Sequence, residues 1–224
     1  MSDAAASKPG FWTSLANPTR FMGLSASMLP WLWAIAGVLT IGGLAWAWNA
    51  PQDYQQGVTV RIMYIHVPAA WLAMFAYAVM AASALGTLIW RHPLADVSIR
   101  AAAPIGAAFT LICLITGSLW GRPMWGTWWV WDARLTSVFV LMLMYLGIIA
   151  LQRAMDDPAK AARPVAILVL VGSVNIPIIN RSVVWWNSLH QTSSITLLGK
   201  PTLDASMLWP LFGMALGLTL FSAA

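Results

Sequence analysis

The sequence predicts an all-α membrane protein with six transmembrane helices and no soluble domain. Of its 224 residues, 60% are hydrophobic and only 8% are charged, whereas soluble domains carry about a quarter charged residues. The apolar residues are grouped in runs close to the length of about 20 residues that crosses a bilayer. The connections between these runs are short and no internal repeat is visible. We therefore expect residues 1–224 to form a single membrane domain.

Six apolar stretches give the predicted spans, at approximately 28–48, 62–90, 101–120, 135–151, 164–180 and 205–224. The second is long enough to tilt or to extend beyond the bilayer, and the fourth is short enough to need flanking residues. The fifth is interrupted by Asn175 and Pro177. Because the chain crosses the membrane at each span, the first, third and fifth connections share one face, which we call the odd face.

The basic residues give a weak orientation, because lysine and arginine are enriched on the cytoplasmic side of membrane proteins. Seven lie in the N-terminal segment and the even connections, and five lie on the odd face. The first group is Lys8, Arg20, Arg91, Arg100, Arg153, Lys160 and Arg163, and the second is Arg61, Arg122, Arg134, Arg181 and Lys200. We therefore expect both termini in the cytoplasm and, in a bacterium, the odd face in the periplasm.

Composition argues against several function classes. The net charge of +5 is no sign of nucleic-acid binding, since basic residues in a membrane protein mainly set topology. The chain has neither a phosphate-binding G-x-x-x-x-G-K-[ST] motif nor a C-x-x-C-H haem-attachment motif. Its one cysteine, Cys113, lies inside an apolar run and is expected to be a buried thiol. The polar first residues predict no removable signal peptide. Because the sequence shows no paired nucleophile and base, we expect a binding protein rather than an enzyme.

One connection is unusually aromatic. Residues 119–137 read LWGRPMWGTWWVWDARLTS, and we call residues 120–137 the tryptophan segment. The spacing of Trp125, Trp128, Trp129 and Asp132 follows one face of a helix, so it predicts a short helix lying flat on the membrane. Asp132 is expected to cap the fourth span by accepting from the amide of Arg134 or Leu135.

The tryptophans are distributed unequally between the two faces. Eleven of the fifteen fall towards the odd face, namely Trp46, Trp48, Trp71, Trp120, Trp125, Trp128, Trp129, Trp131, Trp185, Trp186 and Trp209. Only Trp12, Trp31, Trp33 and Trp90 fall towards the other. A plain aromatic belt is the alternative, but a belt would divide the residues between both interfaces. The imbalance favours a one-sided platform for a flat, apolar ligand.

Two of the three histidines, His66 and His190, also belong to the odd face, and His92 belongs to the opposite one. Such residues can be simple hydrogen-bonded interfacial histidines. Neutral imidazole is, however, a usual axial ligand of haem iron, and arginine binds carboxylates such as propionates in a bidentate manner. With Arg122 and Arg134 nearby, the residues themselves favour a haem or a quinone-like ligand.

The string WGTWWVWDARLTS, from Trp125 to Ser137, resembles the WWD signature of the haem-handling proteins of system I cytochrome c maturation. With its length, its six spans and its histidines in the first and third outer connections, the whole chain is similar to the haem exporter protein C (CcmC) branch of that family. The resemblance implies haem b held at the periplasmic surface of the bacterial inner membrane. His66 and His190 are then the axial ligands, and Trp125, Trp128, Trp129, Trp131 and Asp132 form the haem shelf.

The resemblance also implies partners and leaves alternatives open. Haem would pass to the periplasmic chaperone CcmE, with the small membrane protein CcmD and the ABC transporter of CcmA and CcmB completing the complex. For the propionates, Arg134, Arg122, Arg61 and Arg181 are candidates from their placement alone.

The rival interpretation is an electron-transfer subunit that holds b-type haem or interacts with quinone. A haem-conducting pore is a weaker alternative, because the spans carry few polar residues.

Overall fold

A computed structural model describes residues 17–191, 195 and 199–224. The regular structure in these residues is helical. The α-helices are α1 (Pro18–Asn49), α2 (Met63–Trp90), α3 (Pro93–Trp125), α4 (Ala133–Ala154), α5 (Pro158–Gly172), α6 (Asn175–Trp185) and α7 (Ala205–Ala223), and a 3₁₀ helix (Val58–Ile62) leads into α2. Six segments are long and apolar enough to cross a membrane, with α5 and α6 together forming the fifth. The predicted all-α, six-span fold is confirmed.

Several spans are longer than the apolar runs that predict them. α1 begins at Pro18 rather than near residue 28, because the Asn17 side chain accepts from the amides of Thr19 and Arg20 at 3.0 and 3.3 Å and caps the helix there. α3 continues past residue 120 to Trp125. The added turns are helical but more polar, so hydropathy alone does not include them. Lys8 and Trp12 lie outside the described residues.

The interruption predicted in the fifth span is present. α5 ends at Gly172 and α6 begins at Asn175. The Asn175 side chain is buried, and its amide donates to the Ser137 carbonyl at 2.9 Å, which fixes α6 against α4. Pro177 falls in the first turn of α6, where a missing N–H breaks no helical hydrogen bond.

The core lies where α2 and α3 pack together, with α4 and the α5–α6 pair against them. Tyr77 and Tyr145 meet edge to face at its centre, with ring centroids 5.3 Å apart, and the Tyr145 hydroxyl donates to the Ala73 carbonyl at 2.7 Å. Glycines make room for them. A Cβ on Gly106 or Gly172 would lie 2.1 Å from the Tyr145 ring or the Tyr77 hydroxyl.

A second apolar cluster joins α1, α2 and α7 at the odd face. It includes Ala47, Val60, Met63, Met207 and Leu211, all buried. This cluster holds the first connection and the beginning of α2 in place. His92 directly precedes α3 at the other face, as the alternation of spans predicts, whereas the other two histidines meet at the odd face.

Candidate ligand-binding cleft

A cleft opens between α2, α3, α4 and α6 at the odd face, with residues 190 and 191 on its rim. The space between its lining residues is about 940 Å³ when the open solvent at the mouth is included. The deeper wall is apolar and includes Ala70, Ala73, Met74, Leu114, Val138 and Leu141. The polar lining residues include Gln56, His66, Arg134, His190 and Gln191. A largely apolar molecule with a polar edge would suit this cleft.

The cleft brings His66 and His190 together from positions 124 residues apart in the sequence. Their ring centroids are 6.5 Å apart and the ring planes are inclined by 33°. His66 lies in the first turn of α2 and is buried, and His190 is half-buried in the connection that follows α6. The predicted pairing of these two histidines on one face is therefore observed.

The hydrogen bond of His66 favours one of its two tautomers. His66 Nδ1 lies 3.0 Å from Thr116 Oγ1. The Thr116 hydroxyl already donates to the Ile112 carbonyl at 2.6 Å. Because a hydroxyl has a single proton, this arrangement favours the tautomer in which Nδ1 donates to the threonine oxygen and Nε2 retains its lone pair.

His190 is in the same tautomer for an equivalent reason. Its Nδ1 lies 2.8 Å from the Gln191 carbonyl, which can only accept. Burial lowers the pKa of His190 below its usual value, and the nearby Arg134 guanidinium lowers it further. The imidazole is therefore neutral at neutral pH, and its Nε2 carries the lone pair that can bind a metal.

The spacing of the two rings suits one metal between them. A metal–nitrogen bond of about 2.0 Å on each side, with about 1.2 Å from nitrogen to ring centre, separates two axial imidazole centres by about 6 to 6.5 Å. Within the described part of the chain, no three His, Cys, Asp or Glu side chains are grouped as a metal site.

Three tryptophans line the cleft. Trp120 meets His66 edge to face at 5.7 Å and donates through Nε1 to Gln56 at 3.0 Å. The Trp125 ring is 6.0 Å from that of His190. Trp129 is the third, and among the described residues its buried Nε1–H has no hydrogen-bond partner.

The other tryptophans of the predicted shelf lie elsewhere. Trp128 and Trp131 are 56% and 73% exposed and do not line the cleft. Trp131 packs edge to face with Trp129 and Phe139 beside a shallow outer groove between α3 and α4. Their part in ligand binding, like that of the other site residues, stays a prediction.

The flat helix predicted for the tryptophan segment is wrong. Trp125 is the last residue of α3, and residues 126–132 are not helical. Gly126 adopts a left-handed conformation with φ of 76°, which ends the helix. The Thr127 hydroxyl then donates to the Trp129 carbonyl at 3.0 Å, an alternative to helical hydrogen bonding. The helical spacing was misleading because a helix-ending glycine lies within it.

Asp132 caps α4, as predicted, and its second oxygen is also engaged. Its Oδ1 accepts from the Leu135 amide at 2.8 Å. Its Oδ2 accepts from the Ser188 hydroxyl, and Ser188 Oγ accepts the backbone N–H of His190 at 3.1 Å. The carboxylate does not line the cleft, but it is connected to His190 through Ser188.

Arg134 is the one of the four candidate arginines that lines the cleft. Its Nε donates to Ser182 Oγ at 3.0 Å and its Nη2 to the Asn180 carbonyl at 3.4 Å. The other three are placed differently, because Arg122 donates to the Gly126 carbonyl, Arg61 lies over the Trp48 ring at 5.2 Å and Arg181 is exposed. Among the described residues the ion pairs are Arg100–Asp96 and Lys160–Asp157, so the Arg134 guanidinium has no carboxylate partner.

Sequence reasoning missed the residues that hold the histidines. Thr116 and Gly117 on α3 contact the His66 ring, and Ser188 holds the backbone of His190. In the sequence these are an ordinary threonine and glycine in an apolar run and a serine in a connection. Only the packing of α3 against α2 and the path of the connection after α6 identify them.

Comparison with known proteins gives a consistent family. The family model described as "Heme exporter protein C" matches residues 11–224. Heme exporter protein C of Bradyrhizobium diazoefficiens is 62% identical over 206 residues, covering 92% of this chain and 78% of the relative. The protein of that name from Escherichia coli K12 is 51% identical over 208 residues, covering 90% and 83%. A putative cytochrome c biosynthesis ccmC-like mitochondrial protein of Marchantia polymorpha is 50% identical over 165 residues, covering 74% and 69%.

Proposed function

The chain belongs to the heme exporter protein C family, and on that premise we propose that it delivers haem to the periplasmic chaperone CcmE during the maturation of c-type cytochromes. It binds haem b as cargo at the periplasmic face of the bacterial inner membrane, with both termini in the cytoplasm. It acts in a complex with CcmD and with the ABC transporter of CcmA and CcmB.

The pair of histidine rings carries this proposal. The ring centroids of His66 and His190 lie 6.5 Å apart across an apolar cleft, and each ring has its Nδ1 in a hydrogen bond. Such bonds on the outer nitrogen are the usual companions of metal-ligating histidines, because they fix the tautomer and the ring orientation. Bound haem would supply the iron and its four pyrrole nitrogens.

The remaining cleft residues support a porphyrin in particular. The wall formed by α2, α3 and α4 is apolar, which suits the flat apolar ring system of the porphyrin and its vinyl groups. Among the described residues Arg134 forms no ion pair, and its guanidinium is suited to a propionate.

Handover by this chain requires positioning rather than acid–base catalysis. Cys113, the only thiol, is buried in α3, and Ser188 beside His190 is already committed to Asp132. We expect the chain to present haem to the nucleophile of the chaperone and to contribute by orientation. The rate of transfer then depends on how firmly the two histidines hold the iron.

The test is the absorption spectrum of the detergent-purified protein, alone and after mixing with purified CcmE. We expect a Soret band that moves with the chaperone on separation. His66→Ala and His190→Ala should each alter the spectrum and weaken delivery. His92→Ala, at the opposite face, is the matched control and should do neither.

Two results would contradict the proposal. An unaltered spectrum with normal transfer in the His66/His190 double variant would remove the axial assignment. A normal band that stays with the membrane protein after mixing would instead indicate a cytochrome that holds its haem permanently.

A further inference from the structure

We propose that Thr116 is a positioning residue that sets the tautomer of His66 and thereby presents His66 Nε2 to the iron. This inference rests on the proposed haem-binding function. It adds a residue of α3 to a site whose expected members lie on α2, on the tryptophan segment and on the last outer connection.

The Thr116 hydroxyl has one proton and more than one neighbouring acceptor. Thr116 Oγ1 is 2.6 Å from the Ile112 carbonyl and 3.3 Å from the Cys113 carbonyl, and both of these atoms can only accept. The hydroxyl proton is therefore directed into its own helix. The oxygen lone pairs that remain face His66 Nδ1 at 3.0 Å, so they select the form protonated at that atom.

The helix backbone reinforces this orientation. Thr116 is held in place by bonding back to the carbonyl four residues earlier, as threonine does within membrane helices. The next residue, Gly117, lets α3 approach His66 closely, since a Cβ there would be 3.0 Å from His66 Cε1. Hydroxyl and glycine together hold the imidazole against α3 on its Nδ1 side.

Removal of the hydroxyl should have three consequences. The Nδ1 proton loses this acceptor, so the tautomer protonated at Nε2 gains population. Since outer hydrogen bonds raise ligand basicity and their loss costs about 10- to 100-fold in metal affinity, haem should dissociate about tenfold or more faster. A less basic ligand also stabilises ferric iron less, so the reduction potential should rise.

The first test uses the wild-type chain without haem. With only three histidines in the sequence, selective ¹⁵N-histidine labelling gives three sets of ring signals, which the three alanine variants assign. We expect His66 with a protonated Nδ1 and a bare Nε2. A protonated Nε2 would overturn the proposal, whatever the variants do.

The second test compares Thr116→Val, Thr116→Ser and Thr110→Val. The valine variant at 116 should shift the His66 tautomer, speed haem loss and raise the potential, and serine should restore all three. Thr110 is the matched control, because its hydroxyl bonds back to Gly106 at 2.6 Å without contacting a histidine, so Thr110→Val should leave all three readouts unchanged. Wild-type behaviour of Thr116→Val would overturn the proposal, and so would an equal effect of Thr110→Val.

The two proposals can fail separately. If the His66→Ala spectrum equals that of the wild type, the axial assignment fails, although the tautomer of His66 in the haem-free chain still responds to Thr116. If His66→Ala abolishes the band but the tautomer is unaffected by Thr116→Val, the axial assignment stands and the positioning role fails. If Thr116→Val does not accumulate, the wild-type tautomer remains a decisive measurement.

Discussion

The Ser188 hydroxyl donates to the carboxylate of Asp132 across 56 residues of chain. The same Ser188 oxygen accepts the backbone N–H of His190 at 3.1 Å, and the other Asp132 oxygen caps α4 at Leu135. Asp132 thus connects the end of the tryptophan segment to the connection that carries the second histidine. Its importance for haem would then come from the position of His190 rather than from contact with the ligand.

Ser188→Ala should loosen His190 without uncapping α4. We expect haem to be lost about tenfold faster, within the usual range for an outer-shell change, while the midpoint of thermal unfolding in detergent hardly changes. Stopped-flow transfer of haem to apomyoglobin measures the loss. Ser222→Ala is the control, because that serine bonds only to the Leu218 carbonyl of its own helix.

The comparison with Asp132→Ala separates the two roles of this carboxylate. Loss of an N-cap costs about 1 kcal/mol, so Asp132→Ala should lower the stability of the fold as well as the retention of haem. Asp132→Asn keeps the cap and should change stability little. If Ser188→Ala retains haem as firmly as the wild type, the connection through Ser188 is not what holds His190.

Gly117→Ala should displace the His66 ring. The new Cβ would lie 3.0 Å from His66 Cε1, and this carbon is bonded to the Nε2 atom that we assign to iron. A shift of the ring by a few tenths of an ångström is enough to lengthen the iron bond, so the Soret band should shift and haem should dissociate faster. Gly213→Ala, where nothing lies within 4 Å, is the matched control and should leave the spectrum unchanged.

Sequence could predict the elements whose signals are local. Long apolar runs marked all six spans, Asn175 marked the break in the fifth and Asp132 marked the start of α4. The bend that ends α3 was missed, because the tryptophan spacing resembled a helix while the decisive left-handed conformation belongs to Gly126. From the residues alone, the pairing of His66 with His190 could be foreseen only as a shared face, and it was the family resemblance that predicted both as ligands of one iron.

The contacts that fix the two imidazoles could not be predicted. Thr116 reaches His66 across 50 residues of sequence, and Ser188 reaches Asp132 across 56. These contacts depend on how α3 packs on α2 and on the path of the last outer connection. A single sequence carries no signal for either.

Gly106→Ala tests the packing of α3 against α4 in the core. A Cβ at Gly106 would lie 2.1 Å from the Tyr145 ring, and a displaced Tyr145 would also lose its hydrogen bond to the Ala73 carbonyl. Overpacking of this kind costs about 1–3 kcal/mol or more, so the thermal midpoint in detergent should fall markedly. Gly147→Ala, on α4 with open space around it, should leave the midpoint unchanged or raise it. Equal midpoints for the two variants would contradict the packing of α3 against α4.

Arg134 should contribute to affinity through the propionates. Arg134→Lys keeps the charge but loses the planar pair of N–H donors, so haem affinity should fall several-fold, and Arg134→Ala should lower it further. Haem dimethyl ester, which has no free propionate, isolates the interaction. The wild type should bind the ester more weakly than haem, whereas the alanine variant should bind the two ligands about equally.

Measuring both haem and its dimethyl ester separates the loss of a propionate contact from a structural effect of replacing Arg134. The guanidinium joins α4 to α6 through Ser182 and Asn180, so any variant could weaken both ligands by disturbing the cleft. Such a disturbance would lower the affinities for haem and for its ester alike and would preserve their ratio. Only the loss of a propionate contact brings the ratio of the haem affinity to the ester affinity close to one. The control is Arg163→Ala, at an exposed arginine of α5, which should leave both affinities and their ratio as in the wild type.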